Sequence, residues 1–231
     1  MGRLSSSDRK NQIREVATEL FAQHGFDGVT TRQIADAAGI TEAMVFRHFT
    51  TKEDLYWEVL SAKCAAEDVK QRLEEKLRRD AEPLEIFAAI ARDVLNRNFK
   101  DPSKSRLLLF SALENHGLSQ RFFKIYIREW YEVLAAYIRR QMEEGKFRKV
   151  DPLLAARGFT GMCFHHYLVQ ELFGGSKYQS YDIDEVAQTM ASLWLSGICC
   201  EPDQSGHPAG SVGTSSVSET TSRSLSLGEE V

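Results

Sequence analysis

Apolar residues recur with a helical period along almost the whole of this chain, and that periodicity constrains the fold more than any other feature. Ile13, Val16, Ala17, Leu20 and Phe21 fall at i, i+3, i+4, i+7 and i+8, one stripe on a first helix. Ser6 or Ser7 is placed to cap its start, and Gly25 to end it in the left-handed conformation. Thr30 and Gln33 have capping-box spacing and open a short helix carrying Ile34, Ala35 and Ala38, which Gly39 stops. Thr41 caps a third helix over 42–48, and Thr50 with Glu53 forms a second capping-box pair that opens a fourth. Two short helices separated by a glycine-containing turn describe a helix-turn-helix.

Beyond residue 60 the helices lengthen. One is predicted over 51–79, and Pro83 introduces another with Phe87, Ala88, Ala91, Val94 and Leu95 on one side. Further helices are expected over 104–114, 119–144, 152–173 and 183–196. Strict alternation long enough for a buried strand is missing, so the expected class is all-α. The reading divides the chain into a helix-turn-helix domain over 1–55, a larger helical domain over 56–200, and a tail over 201–231. That tail is rich in Ser, Thr and Gly and has no aromatic residue, a composition expected to stay disordered.

Composition excludes several classes. Hydrophobic residues are 42% and charged residues 27% of 231, ordinary for a globular chain. There is no run of about 18 apolar residues that would cross a membrane. The polar start, 1–11, lacks the apolar core of a signal peptide, and a cytoplasmic protein is expected. Cys64, Cys163, Cys199 and Cys200 show no framework spacing. His165, His166 and Glu171 could suggest a metal, but adjacent histidines point to different helix faces, and neither metal nor cofactor is expected. No nucleophile–base set at coherent spacing supports catalysis. With a net charge of −4 the chain is not a globally basic nucleic-acid binder, although Arg3, Arg9, Lys10 and Arg14 make a small positive arm. That arm is either solvated charge or a segment that trails along DNA.

The run Ile13–Ala17, Leu20-Phe21, Gly25-Phe26, Thr30-Thr31, Ile34-Ala35, Ala38-Gly39-Ile40, Val45–Phe49 and Lys52–Leu55 resembles the DNA-binding domain of the TetR (tetracycline repressor) family. About fifty residues match in order. The rest is similar to that family in architecture alone: long helices, a Gly-x-Phe-Arg-x-x-Asp-Pro passage at 145–152, and two closing helices. The resemblance implies that Thr31, Thr41, His48 and Lys52 contact phosphates, while Glu42, Ala43 and Met44 approach bases.

The residues agree with that implication. Ile40, Val45 and Phe49 are placed to face inward onto Leu20, Phe21, Ile34 and Ala35. Thr41, Glu42, Ala43, Met44, Phe46, Arg47 and His48 then form the outward set of a helix narrow enough for the major groove, about 12 Å wide. Thr31 and Thr41 begin helices, where backbone amides and the dipole favour phosphate. Phe46 stands where the family often carries Tyr, so a hydroxyl contact is lost, and contact with either a thymine methyl or the sugar edge is expected in its place. Glu42 is a carboxylate facing a polyanion, favourable if it accepts from cytosine or pairs with Arg32 or Arg47.

In the second domain Phe87, Phe110, Phe123, Tyr126, Trp130, Phe159, Met162 and His166 either fill the core or line a small-molecule pocket. Helices over 153–173 and 183–196, rich in small and apolar residues, are either buried within the chain or paired with a second copy as a four-helix interface. The expected function is a homodimeric repressor on a pseudo-palindromic double-stranded operator, released by a small-molecule effector. The rival is a helical protein-interaction or ligand-binding protein with no DNA target.

Overall fold

The computed structural model describes residues 5–65, 69–114 and 117–200. The predicted disordered tail, residue Arg3 of the arm and the middle of the helix expected over 51–79 lie outside the described residues, as does the side chain of Cys64. The chain forms α1 (Ser6–His24), α2 (Thr31–Ala37), α3 (Glu42–His48), α4 (Lys52–Ala65), α5 (Val69–Leu77) and α6 (Pro83–Lys100). Next come α7 (Pro102–Leu113), α8 (Gly117–Phe122), α9 (Arg128–Glu143), α10 (Pro152–Tyr167) and α11 (Ile183–Ile198). Among the described residues, strand pairing is confined to a single antiparallel bridge between Phe147 and Cys199, which pins the end of α11.

The helix starts follow from side-chain oxygens meeting free backbone amides. Thr30 and Gln33 form the complete capping box of α2. Thr41 accepts from the Met44 amide at the start of α3. Two caps sit one residue from the sequence expectation. Ser5, not Ser6 or Ser7, caps α1 through the Asp8 amide. Thr51, not Thr50, accepts from the Asp54 amide, because Phe49 is drawn into the core and the chain turns helical one residue later. Gly39, at φ 65°, ends α2 and lets the Ile40 amide reach back to the Ala35 carbonyl.

Two apolar clusters organise the described chain. The first holds Ile13, Ala17, Phe21, Phe26, Val29, Ile34, Val45, Phe49, Leu55, Tyr56, Val59, Leu60 and, from α7, Leu107. The core of the N-terminal helices thus runs past residue 55 along α4. Val45 and Phe49 are buried here, with Leu20 and Ile40 packed half-buried on the rim. Each such residue contributes about 1.5–3 kcal/mol on burial, so this head holds its short helices by packing rather than by propensity.

The second cluster centres on α6, which lies against α5, α9, α10 and α11. Phe87 and Phe159 are fully buried and meet edge to face at 4.9 Å, with Trp194, Phe147 and Tyr137 around them. The helix expected over 119–144 is interrupted: a π-helical turn over Phe123–Ile127 separates α8 from α9. A second π-helical turn, Leu168–Leu172, follows α10, so the expected helix over 152–173 widens before its end. Gly145, at φ 73°, stops the ninth helix as the sequence indicated.

Candidate nucleic-acid interface and body cavity

The outward set of α3 is real. Thr41, Glu42, Ala43, Phe46 and Arg47 are exposed, Phe46 to 47%, while Met44 and His48 are half-buried along its edges. Val45 and Phe49 anchor the opposite side, so the helix presents one continuous polar and apolar face to solvent. Arg32 of α2 is exposed beside it, and neither Arg32 nor Arg47 carries an ion pair among the described residues. A seven-residue helix with one face anchored and the other bare can enter a groove without unfolding anything.

Three of the expected contacts have partners within the chain. The Thr31 hydroxyl donates to the Glu42 carboxylate at 2.5 Å. Glu42 is therefore satisfied by Thr31 and not by Arg32 or Arg47, because the N-terminal turn of α2 lies against that of α3. The Lys52 ammonium sits 4.1 Å from the centre of the Phe26 ring. In the arm, Lys10 pairs with Glu58 at 2.8 Å and Arg9 donates to Gln12, so these two charges lie folded on α1 and α4.

A cavity of about 660 Å³ opens in the body, framed by α5, α6, α7, α8, the π-helical turn, α9 and α10. Of the aromatic residues picked from the sequence, Tyr126 and Trp130 line it. Phe87 and Phe159 do not: they are the centre of the buried aromatic cluster. Phe110 lies on the far side of α7, close to Gly25. Phe123 is exposed on the outside of the π-helical turn, Met162 is half-buried away from the lining, and His166 rests between Phe99 and Tyr181. Burial, and secondarily the neighbouring His165, lowers the His166 imidazole below its ordinary range. His165 is exposed, so the two imidazoles do not converge on a common point.

The remaining lining was not legible: Val94, Leu108, Leu109, Phe122, Ile125 and Phe164 supply apolar walls. Lys70, Arg97 and Lys104 bring cationic side chains to it, with Lys70 paired to Glu129 at 3.3 Å and Arg97 to Asp93 at 3.4 Å. Asn98 and Ser105 bond each other across α6 and α7 at 2.7 Å. This combination suits a ligand with an apolar body and an anionic group. A second hollow of about 780 Å³, near α5, α6 and α9, mixes apolar residues with charged ones, of which Arg140, Glu144 and Lys146 are paired with one another.

A bare groove-sized helix on a capped three-helix head, joined to a helical body with an open cavity, is the architecture of a DNA-binding transcriptional regulator. Known proteins agree. The family described as "Bacterial regulatory proteins, tetR family" matches residues 13–59, and "AefR-like transcriptional repressor, C-terminal domain" matches residues 100–196. The chain belongs to the TetR family of bacterial transcriptional regulators. The uncharacterized HTH-type transcriptional regulator YvkB of Bacillus subtilis (strain 168) is 22% identical over 197 residues, covering 82% of this chain and 97% of that protein. The HTH-type transcriptional repressor KstR2 of Rhodococcus jostii (strain RHA1) is 41% identical over 54 residues, 23% of this chain and 26% of its own. Among solved structures, the transcriptional regulator FadR from Bacillus subtilis, in complex with stearoyl-CoA, has the same fold. Its TM-score is 0.62 at 21% identity, covering 81% of this chain and 98% of that one.

Proposed function

We propose that this protein is a homodimeric repressor that binds a pseudo-palindromic operator through residues 30–52 and leaves it when a small molecule occupies the body cavity. The division of labour follows the sequence reading: residues 1–55 read DNA, and residues 56–200 hold the effector and the dimer contact. The observation that carries the reading is the exposed face of α3, flanked by Arg32 and Arg47 and backed by Val45 and Phe49. Thr31, Thr41, His48 and Lys52 are assigned to phosphates, and Glu42, Ala43, Met44 and Phe46 to base edges.

Dimerisation is supported by an unpartnered apolar face. Leu154 of α10 is 67% exposed and Leu193 of α11 is 63% exposed. Gly158 and Gly197 have open space where a Cβ would stand, so a neighbouring helix can approach closely. Two heads also supply what one short helix lacks, since half-sites one helical turn apart give useful specificity. Among the described residues no helix is long and apolar enough to cross a membrane, and the bacterial nucleoid is the proposed place of action.

For the effector, the apolar walls with Lys70, Arg97 and Lys104 favour an amphiphilic anion, and the stearoyl-CoA bound by FadR supports an acyl thioester of that kind. The effect on DNA is a population shift: an effector that binds better to a dimer with misaligned heads draws the protein off its operator. Selection of bound fragments from genomic DNA tests the first half, with a recovered palindrome as the expected result. Stearoyl-CoA should then release that operator and change Trp130 fluorescence. Recovery of no enriched sequence at low salt would overturn the DNA assignment.

A further inference from the structure

Helix α7 touches the head and the cavity with opposite faces. At 3.6 residues per turn, Lys104, Ser105, Leu108 and Leu109 fall on one arc, and all four line the cavity. Arg106, Leu107, Phe110 and Glu114 fall on the other arc, toward the head. The Arg106 guanidinium donates to the Ala22 carbonyl at 2.7 Å, inside the last turn of α1. The buried Tyr56 hydroxyl of α4 donates to the Leu107 carbonyl at 2.6 Å. Past the C-terminal end of α7, the Glu114 carboxylate accepts from the Phe26 amide at 2.9 Å and the Asp27 amide at 3.3 Å.

Gly25 makes that last contact feasible. Its φ of 77° turns the chain so that consecutive amides point to one side. A Cβ at this position would lie 2.2 Å from a Glu114 oxygen and 2.9 Å from the Phe110 ring. The residue is thus fixed by backbone conformation and by the approach of the carboxylate together. The body supplies a cation to the end of α1 and an anion to the amides just beyond it.

We propose that the Glu114 carboxylate is the latch through which the cavity and the DNA-reading head constrain each other. The proposal rests on the regulator reading above and names the residue that carries its coupling. A rigid helix cannot shift its cavity face without shifting its head face, so α7 moves as one piece. The ring contacts of Trp57 with Tyr126 also join α4 to the cavity wall, but apolar contact is non-directional and tolerates sliding. Hydrogen bonds from two amides to one carboxylate are directional, and they set where the head stands. Glu114 is a positioning residue that touches neither DNA nor ligand.

Coupling is reciprocal, so operator binding must act on the cavity wall through the same contact. The test is hydrogen exchange on the full-length protein with and without its selected operator, for wild type, E114Q and E114A. In wild type the operator should protect 31–48 and also change exchange over 117–127 by about fivefold. In E114Q and E114A, protection of 31–48 should persist while the change over 117–127 disappears. E114D, which keeps the charge on a shorter arm, should restore part of it, and it serves as the probe should the other variants not fold. An equal change over 117–127 in wild type and E114Q overturns the latch, as does no change in wild type. If DNA fails to protect 31–48 in wild type, the DNA reading itself fails and the latch falls with it.

Discussion

Removing the Lys52 ammonium gives the most direct measure of whether α4 starts against a phosphate. In the folded protein this group lies over the Phe26 ring at 4.1 Å, at the edge of the head. The cation–π contact of such a half-exposed lysine is worth about 0.5–1 kcal/mol, so Lys52→Ala should fold with a slightly lower melting temperature. Its effect on DNA differs in kind. Each phosphate neutralised releases counterions and steepens the fall of log affinity with log salt by about 0.9. A dimer loses two such contacts, so the slope for Lys52→Ala should be shallower by about 1.8. Between 50 and 200 mM salt, the affinity advantage of wild type over the variant should then shrink by about tenfold. Fluorescence anisotropy on a labelled operator measures both lines over that range. Parallel lines, with the variant merely displaced, would show that Lys52 supports the head and meets no phosphate.

Other substitutions separate packing, assembly and readout. Phe87→Ala removes the ring at the centre of the aromatic cluster and should cost about 3–5 kcal/mol; for a domain of this size the melting temperature falls by about 10 °C, and a fall of less than about 3 °C would place the ring outside the cooperative core. Leu193→Glu charges the exposed face of α11 and should convert the dimer to monomer in sedimentation velocity while leaving the helical content intact. An unchanged sedimentation coefficient at the same concentration would put the interface elsewhere. Glu42→Ala frees the Thr31 hydroxyl and removes a carboxylate from the face of α3. It should relax preference by about 1–3 kcal/mol at one base pair of each half-site without changing the salt slope, and an unaltered site preference in selection would remove Glu42 from the readers.

The head was legible in the sequence because its signals are local. Thr30 with Gln33, Thr41, Gly25 and Gly39 act within four residues of themselves, and all behave as their chemistry dictates. The caps displaced by one residue, Ser5 and Thr51, lie in runs of adjacent hydroxyl side chains, where tertiary packing picks among near-equals. The body was less legible. A π-helical turn adds a residue without breaking an apolar run, so Phe123–Ile127 read as plain helix. Tyr126 and Trp130 reached the cavity, but Phe87 and Phe159 have the same composition signal and became core. Which aromatic faces a void depends on the angle between helices, which periodicity does not encode. Glu114 carried no signal, since its partners lie 87 and 88 positions earlier.

The electrostatics of the head explain how a chain with net charge −4 can approach a polyanion. Its cations near the groove helix are held by weak internal partners. Lys10 and Glu58 form a pair with both side chains about 40% exposed, and such surface pairs contribute only about 0–1 kcal/mol. Lys52 on Phe26 is of similar strength. Exchanging either partner for a phosphate therefore opposes binding little, while in the free protein the side chains stay ordered near their working positions. Arg32 and Arg47 need no such exchange. This supply is small: a few cations per head, set against Glu42 on the same face. A single head gains enough to touch DNA at low salt but too little to hold one site against a genome of competitors. In the proposed dimer, affinity comes from two heads held at a fixed spacing, and the proposed control alters that spacing. The body grips the end of α1 through Arg106 and the amides beyond it through Glu114, the contacts through which the proposed latch would set that spacing.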